Sequence, residues 1–455
     1  MTKAAPASRE GFSSRFGVLA ATLGSAVGLG NIWKFPSLTG ENGGAGFLLI
    51  YLLATLLIGL PVMMAEITLG RRAKANPITA LQQLAPRPGL PWWLIGVSGM
   101  LAAFLILAFY SQVVAWVFAY VVKAAGGGLL SSDPRVTEAA FAALVSDPWQ
   151  SLIWQWIVLV LIGGILTLGV TRGIEAITKK LMPLLFLLLL LVCGFSLSLD
   201  KAAEGLAFLF KPDFTRIDAA VILTAMGLAF FKLSIGMGTM MTYGSYFRDD
   251  QNIPATALRV MVADLSVSLL AGIAIFPAVF TFGFEPSVGP SLVFITIPAV
   301  FSQIPMGHAL MVVFFILTSI AAIGAMLSLM EVPVAILHER LGWSRRRATA
   351  ITLILLLIAG ASCALSGSVL VDFRILGLTM FDLFDRVSSM VLLPVGGIMI
   401  ALFVGWSWGR DKLQDELSNR GGLANRRLSA LLFLLLRYVS PVLILLVMLQ
   451  GLDLI

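Results

Sequence analysis

Glycines crowd one apolar segment near the start of the chain. The stretch GSAVGLGNIWKFP, residues 24–36, places Gly24, Gly28 and Gly30 inside a run long enough to cross a bilayer. Glycine costs about 1 kcal/mol relative to alanine inside a helix, so this spacing predicts a helix that breaks. A broken backbone at membrane depth is tolerated only where its N–H and C=O groups face protein, water or a ligand. We therefore predict that this segment presents backbone dipoles to a small ligand or an ion.

The composition predicts a protein that crosses the membrane many times. Of the 455 residues 59% are hydrophobic and 12% are charged, and the mean hydropathy is +0.97. This profile excludes a soluble enzyme and indicates an all-α polytopic membrane protein. Eleven apolar runs have the length of a membrane span: 14–38, 44–71, 93–123, 151–170, 175–199, 218–247, 255–283, 308–338, 347–366, 376–407 and 428–452. A further apolar run, 291–306, contains Pro298 and Pro305 and is interpreted as a re-entrant or capping loop.

Basic residues indicate the orientation. Lysine and arginine are concentrated in the N-terminal segment and in alternate loops, which predicts a cytoplasmic N-terminus by the positive-inside rule. The net charge of +7 is thus a topology signal, and we expect no nucleic-acid partner. No cleavable signal peptide is predicted. Cys193 and Cys363 both fall within spans, so we expect neither a disulfide nor a metal centre.

The sixth apolar run carries a second break. It reads FFKLSIGMGTMMTYGSYFRDDQ from Phe230 and contains Gly236 and Gly238. The first and sixth runs occupy corresponding positions in two five-span halves, which is typical of the binding site of an inverted-repeat transporter. The predicted organisation is a cytoplasmic segment at 1–13, a first repeat at 14–199, a second repeat at 218–407 and an additional span at 428–455.

Four motifs resemble the neurotransmitter:sodium symporter family. They are GSAVGLGNIWKFP (24–36), ENGGAGF (41–47), GLPVMMAEITLGR (59–71) and SYFRDDQ (245–251). The resemblance implies the leucine-transporter fold, a 5+5 inverted repeat plus one additional span, with spans 1 and 6 unwound at mid-membrane. It also implies alternating access, a bilayer environment (the bacterial inner membrane) and a small amino-acid substrate. No nucleophile, metal set or cofactor motif suggests an enzyme.

The resemblance implies a substrate site around the two breaks. Half-helix N-termini suit a carboxylate, and the family's matching tyrosine, here Tyr110, binds the substrate carboxylate. Family members that carry biogenic amines have an aspartate where this chain has Gly28, so a neutral amino acid is favoured over a decarboxylated amine. The expected pocket consists of Ser25, Ala26, Gly28, Leu29, Gly30, Ile106, Tyr110, Phe231, Lys232, Ser234, Met237, Ala325 and Leu329.

The chain departs from the family at both sodium sites. At the first, Asn31 is retained, but Lys232 and Asp264 replace a hydroxyl residue and an asparagine. At the second site, family members have a Thr–Ser pair in the eighth span. The matching residues of this chain are Gly324 and Ala325, which have no side-chain oxygen. We therefore expect sodium-independent transport in which Lys232, neutralised by Asp264, replaces the first sodium ion. The pair could couple transport to a proton or could form a permanent salt bridge. Transport would accordingly be coupled to protons, work by substrate exchange or be uncoupled.

Two further alternatives concern the ions. A gap inside the eighth span would restore hydroxyl ligands by bringing Thr318 and Ser319 into register. Of the family's chloride ligands, Tyr51 and Ser268 are retained but Leu228 replaces a glutamine, so we expect no chloride. No other cofactor or metal is predicted.

The resemblance also implies gates and braces. The outer gate matches Lys34 with Asp385, and the inner gate matches Arg9 with Glu339, supported by Tyr246. Glu66 and Glu331 are expected to brace the broken helices by accepting backbone N–H bonds, and the alternative role for either is to carry a proton.

Two alternative functions remain open. One is a conventional sodium-coupled symporter, and the other is a transport-inactive amino-acid sensor. The sequence does not indicate the oligomeric state.

Overall fold

The computed structural model describes residues 10–87, 89–283 and 292–454. Within them, nine helices are continuous, apolar and long enough to cross a membrane. These are Ala45–Ala73, Trp93–Ala125, Pro148–Thr167, Val170–Ser196, Ile253–Thr281, Gly307–Leu341, Arg345–Gly367, Met380–Trp408 and Arg426–Gly451, which are the second to fifth and seventh to eleventh spans in chain order. Each lies close to the predicted run, because unbroken hydropathy is what defines both.

The first and sixth spans are interrupted. The first consists of Arg15–Ala26 and Gly30–Glu41, whose axes differ by 55°. The sixth consists of Ala219–Lys232 and Thr239–Ser245. The breaks therefore fall at 27–29 and 233–238, where the glycine-rich motifs predicted them.

Short helices connect the spans. Pro77–Leu84, Pro134–Ser146, Ala202–Phe210 and Arg410–Leu417 lie between spans. A further one, Leu292–Phe301, occupies most of the run interpreted as a re-entrant or capping loop, and it is shorter than the helices that could cross a membrane. Pro298 lies in the first turn of an α-helical segment, where its missing N–H is not needed. Phe294 stacks on Phe141 with ring centroids 4.9 Å apart, which fixes this helix against Pro134–Ser146.

Glycine allows the interrupted sixth span to approach the second span closely. A Cβ on Gly70 would lie 1.9 Å from the carbonyl oxygen of Met241, and one on Gly244 would lie 2.5 Å from that of Ile67. The two helices therefore meet backbone to backbone in the half of the sixth span that follows the break. This contact holds the short helix Thr239–Ser245 in place although it has fewer than two and a half turns.

Candidate functional site

The two breaks differ in how the backbone leaves the helix. The first break follows Ala26, and the N–H of Leu29 within it donates to the hydroxyl of Tyr110 at 3.1 Å. The second contains three residues with positive φ, Ser234 (53°), Gly236 (80°) and Gly238 (76°). Glycine adopts this region without strain, whereas Ser234 does so at a cost. The Ser234 hydroxyl donates to the carbonyl oxygen of Ser25 at 2.7 Å, so it joins the two breaks directly.

A small cavity of about 60 Å³ lies between the breaks. Every predicted pocket residue except Leu29 lines it, and Asn31 lines it as well. The lining includes polar groups, among them the Tyr110 hydroxyl and the buried hydroxyl of Ser25, which has no hydrogen-bond partner, and apolar side chains such as Ile106, Phe231 and Leu329. This polarity suits a molecule with a charged head and an apolar side chain.

Gly28 sits at the tightest point of the cavity. A Cβ at this position would lie 3.2 Å from both the Ala325 Cβ and the Tyr110 hydroxyl oxygen. A side chain at residue 28 would therefore compete with any group that approaches Tyr110. The geometry is consistent with the prediction that the space belongs to a substrate carboxylate.

The ammonium of Lys232 is enclosed by three oxygen atoms. Its Nζ lies 3.1 Å from Oδ2 of Asp264 and donates to the hydroxyl of Tyr51 at 3.0 Å. It also donates to the hydroxyl of Ser268. The side chains of Lys232 and Asp264 are 0% and 1% exposed. An ammonium has three protons to donate, so this charge is fully partnered.

Asn31 is held by the same cluster. Its Nδ2 donates to Oδ1 of Asp264 at 2.6 Å and to the hydroxyl of Ser268 at 3.1 Å. Its side-chain oxygen accepts from the N–H of Gly28 at 3.2 Å. The retained asparagine therefore turns its amide nitrogen towards Asp264, while its oxygen bonds to the first break.

The first and eighth spans touch at the position aligned with the second sodium site. A Cβ on Gly324 would lie 2.6 Å from the carbonyl oxygen of Gly24 and 3.1 Å from its Cα. The eighth span is one continuous helix, so a gap within it has no structural support. Thr318 and Ser319 donate instead to the carbonyl oxygens of Phe314 and Phe315 in their own helix, at 2.6 and 2.8 Å.

The predicted outer gate does not form an ion pair. No salt bridge joins Lys34 to Asp385, both of which the structure describes. The Lys34 ammonium lies 4.0 Å from the centroid of the Phe231 ring, and Asp385 accepts from the hydroxyl of Ser389 at 2.8 Å. A second cavity of about 230 Å³, lined in part by Lys34, Asp385 and Tyr110, separates the two charges from the pocket. Because lysine presents a point charge and no bidentate fork, the aromatic face competes effectively for it.

At the opposite end, part of the predicted inner gate lies outside the described residues, because it involves Arg9. Its predicted partner Glu339 accepts from the backbone N–H and the Nδ2 of Asn76, at 2.8 and 2.9 Å. Next to the N-terminal segment, Phe12 packs edge-on against Tyr243 and Tyr246 with centroids 5.7 and 5.9 Å away. Phe12 thus anchors the start of the described chain to the second half of the sixth span through aromatic contacts.

The two predicted braces behave differently. Glu66 accepts from the N–H of Gly236 at 2.6 Å, the type of contact that was predicted. Glu331 does not follow that prediction, since its contacts are to side chains. It accepts from Nη1 and Nη2 of Arg345, at 3.0 and 2.5 Å, and from the Tyr246 hydroxyl at 2.6 Å. Sequence reasoning missed Arg345 because it stands in a basic run that was used only to assign orientation.

An all-helical membrane protein with two interrupted helices that meet at a buried pocket has the architecture of a secondary transporter. The family model described as "Sodium:neurotransmitter symporter family" matches residues 9–130 and 147–454. The chain therefore belongs to the sodium:neurotransmitter symporter family, and the resemblance seen in its motifs is confirmed.

Individual relatives agree with that assignment. An uncharacterized sodium-dependent transporter of Bacillus subtilis, YhdH, is 39% identical over 96% of this chain and 97% of its own length. An uncharacterized sodium-dependent transporter of Haemophilus influenzae is 34% identical over 90% of this chain and 92% of its own. The crystal structure of MhsT in complex with L-phenylalanine matches with a TM-score of 0.89 and 42% identity, over 97% of this chain and 100% of that one. The fold is therefore the leucine-transporter fold.

Proposed function

We propose that this chain is a secondary transporter of a neutral amino acid that works without sodium. In this proposal Lys232, paired with Asp264, replaces the first sodium ion, and the second sodium site is lost at Gly324 and Ala325. The protein would lie in a bacterial inner membrane with its N-terminus in the cytoplasm. It would alternate access by moving the first, second, sixth and seventh spans against the remainder.

The ammonium of Lys232 is the observation that carries the proposal. It is fully buried and bonded to Asp264, Tyr51 and Ser268, so a positive charge is already built into the region. A sodium ion brought beside it would be repelled, because like charges at short range cost several kcal/mol at about 4 Å and an effective dielectric constant near 20. The orientation of Asn31 supports the same conclusion, since its side-chain oxygen is bonded to the Gly28 N–H.

The close contact between the first and eighth spans supports loss of the second site. A Cβ on Gly324 would lie only 2.6 Å from the Gly24 carbonyl oxygen, so there is no room for a side chain at this position. Neither Gly324 nor Ala325 supplies an oxygen, and hard cations require several. Backbone carbonyl groups alone would have to hold the ion.

The neutral amino-acid substrate is inferred from the pocket and from a relative. The cavity is lined by polar groups, including the Tyr110 hydroxyl, and by the apolar side chains of Ile106, Phe231 and Leu329. MhsT, 42% identical to this chain, was crystallised with L-phenylalanine. L-Phenylalanine is thus a rational first probe, to be followed by smaller apolar amino acids.

A conventional sodium-coupled symporter is the second candidate. The names of the relatives from Bacillus subtilis and Haemophilus influenzae favour it, because both are described as sodium-dependent. In that case Asp264 and backbone oxygens would have to bind the ion next to Lys232.

The test is binding of radiolabelled L-phenylalanine and a panel of neutral amino acids to purified protein, in sodium and in choline at equal ionic strength. We expect equal affinity in both salts for the wild type and at least a tenfold loss in choline for Lys232→Thr. The exposed Lys211→Ala variant is the matched control and should behave like the wild type. Binding that requires sodium in the wild type would establish the second candidate instead. Binding without uptake into proteoliposomes would indicate a sensor.

A further inference from the structure

Five carboxylates are buried among the described residues, and one of them differs from the rest. They are Glu66, Glu175, Asp264, Glu331 and Glu416. Four have a basic partner within 3.1 Å: Lys179 for Glu175, Lys232 for Asp264, Arg345 for Glu331 and Arg71 for Glu416. Glu66, which is 0% exposed, has none.

The immediate contacts of Glu66 are sparse. Oε1 accepts from the N–H of Gly236 at 2.6 Å, and Oε2 has no hydrogen-bond partner. An ionised carboxylate has two oxygens that each accept hydrogen bonds. A carboxylic acid would leave a neutral hydroxyl without a partner at Oε2, whereas the anion would leave a charged oxygen without one, and an unpaired buried charge costs far more than an unpaired buried hydroxyl. The observed contacts fit the acid better than the anion.

Neighbouring titratable groups do not supply the missing charge. The second span packs against the first, sixth, seventh, tenth and eleventh spans and against the helices Pro77–Leu84, Ala202–Phe210 and Arg410–Leu417. The buried titratable groups on or next to these elements are Lys232, Tyr243, Tyr246, Asp264 and Glu416. The half-buried guanidinium of Arg437 in the eleventh span lies 4.3 Å from the centroid of the Trp406 ring. Lys232 bonds to Asp264, Tyr246 to Glu331 and Glu416 to Arg71, while Tyr243 is a neutral phenol. An isolated buried carboxyl group takes up a proton because the charged form loses its hydration.

We propose that Glu66 holds a proton in this conformation and is the proton-binding site that couples transport. The coupling role of Glu66 rests on the proposed transport function. The protonation of Glu66 does not depend on that function. Two backbone N–H groups face this carboxyl group, those of Gly236 and Met241, and the Gly236 donor lies inside the glycine-rich break of the sixth span, at a residue with φ of 80°. A rearrangement of that break changes the surroundings of the carboxyl group, and that change would allow the proton to be released or taken up.

The protonation state is tested by infrared spectroscopy on the full-length protein in nanodiscs. We expect the carbonyl stretch of a protonated carboxyl group at neutral pH in the wild type, with a shift in deuterated buffer, and its absence in Glu66→Gln. Glu175→Gln is the matched control, because Glu175 is equally buried but is paired with Lys179, so this variant should keep the band. Identical spectra for the wild type and Glu66→Gln would overturn the proposal. Should Glu66→Gln fail to fold, Glu66→Asp keeps the acid and should shift the band.

Coupling is tested with L-phenylalanine in proteoliposomes. In the wild type, an imposed pH gradient should drive accumulation of L-phenylalanine. Glu66→Gln should lose at least nine-tenths of that accumulation. It should keep substrate exchange when the pH is equal on both sides. Equal accumulation by both proteins would refute the coupling role. A band that depends on Glu66 in a protein that moves no amino acid would refute the proposed function and leave the protonation intact.

Discussion

Removing the ammonium of Lys232 should make the stability of the protein depend on sodium. Lys232→Thr leaves the carboxylate of Asp264, which lies 3.1 Å from the ammonium, without its counter-charge. Breaking a buried ion pair by removing one partner costs about 3–5 kcal/mol. Asp264 keeps the hydrogen bond from Asn31 at 2.6 Å, so we expect the lower end of that range, about 3 kcal/mol.

The cavity left by the lysine side chain is suited to a sodium ion. It would contain the Asp264 carboxylate, the hydroxyls of Tyr51 and Ser268 and the introduced threonine, all of them oxygen ligands. An ion that binds only the folded protein stabilises it by RT ln(1 + [ion]/Kd), which is about 2.7 kcal/mol at 100 times Kd. Sodium should therefore restore most of the stability that the substitution removes.

The assay is thermal unfolding in nanodiscs in sodium and in choline at equal ionic strength. The wild type should melt at the same temperature in both salts, and Lys232→Thr should melt lower in choline and recover in sodium. The double variant Lys232→Thr/Asp264→Asn removes both charges, so it should be more stable in choline than the single variant. A wild type that is stabilised by sodium as strongly as Lys232→Thr would refute the reasoning, because the ammonium would then not exclude the ion.

Three further outcomes follow from single contacts. Gly324→Ala should destabilise the protein by about 1–3 kcal/mol, as overpacking does, measured by thermal unfolding, whereas Gly164→Ala, whose Cβ would meet nothing within 4 Å, should not. Tyr110→Phe removes a hydroxyl that accepts a backbone hydrogen bond. It should weaken L-phenylalanine binding about 2- to 13-fold, which corresponds to about 0.5–1.5 kcal/mol per hydrogen bond. Unchanged affinity would show that Tyr110 does not bind the substrate carboxylate. The Lys74 ammonium, 2.9 Å from Asp249, holds the pKa of that carboxyl below its ordinary value of 3.8. The stability from this contact is present above that value and is lost as pH falls through the lowered pKa, so the difference in melting temperature between the wild type and Asp249→Asn should vanish in acid and should persist at neutral pH.

The sequence predicted the fold well because its signals are local. Bilayer-length hydropathy fixed the position of each span, and clustered glycines fixed the breaks at 27–29 and 233–238. The pocket followed from the same signals together with the family resemblance, since residues beside both breaks must meet once the two helices cross. The prediction that Leu29 lines the pocket between the breaks is wrong. Leu29 lines instead the second cavity, which Lys34 also lines.

The side-chain partners were less predictable. Whether Lys34 meets Asp385 or the ring of Phe231 depends on a few ångströms of helix separation, which a sequence does not encode locally. Arg345 reaches Glu331 only because the eighth and ninth spans fold back on each other, so the contact is tertiary. Within the run interpreted as a re-entrant or capping loop, the short helix Leu292–Phe301 accommodates Pro298 because proline is well tolerated in the first helical turn.

The position of Lys232 also limits what can drive transport. A sodium ion performs work because it binds on one side of the membrane and leaves on the other, so that its gradient is spent in each cycle. A lysine ammonium that stays paired with Asp264 remains attached to the sixth span and returns unchanged, so in that state it can position a substrate carboxylate but cannot carry a gradient. A transporter built this way needs another dissociable ion if it is to concentrate its substrate. Among the buried carboxylates of the described residues, Glu66 alone has no fixed counter-charge, and only a group free of such a partner can bind and release a proton readily as its surroundings change.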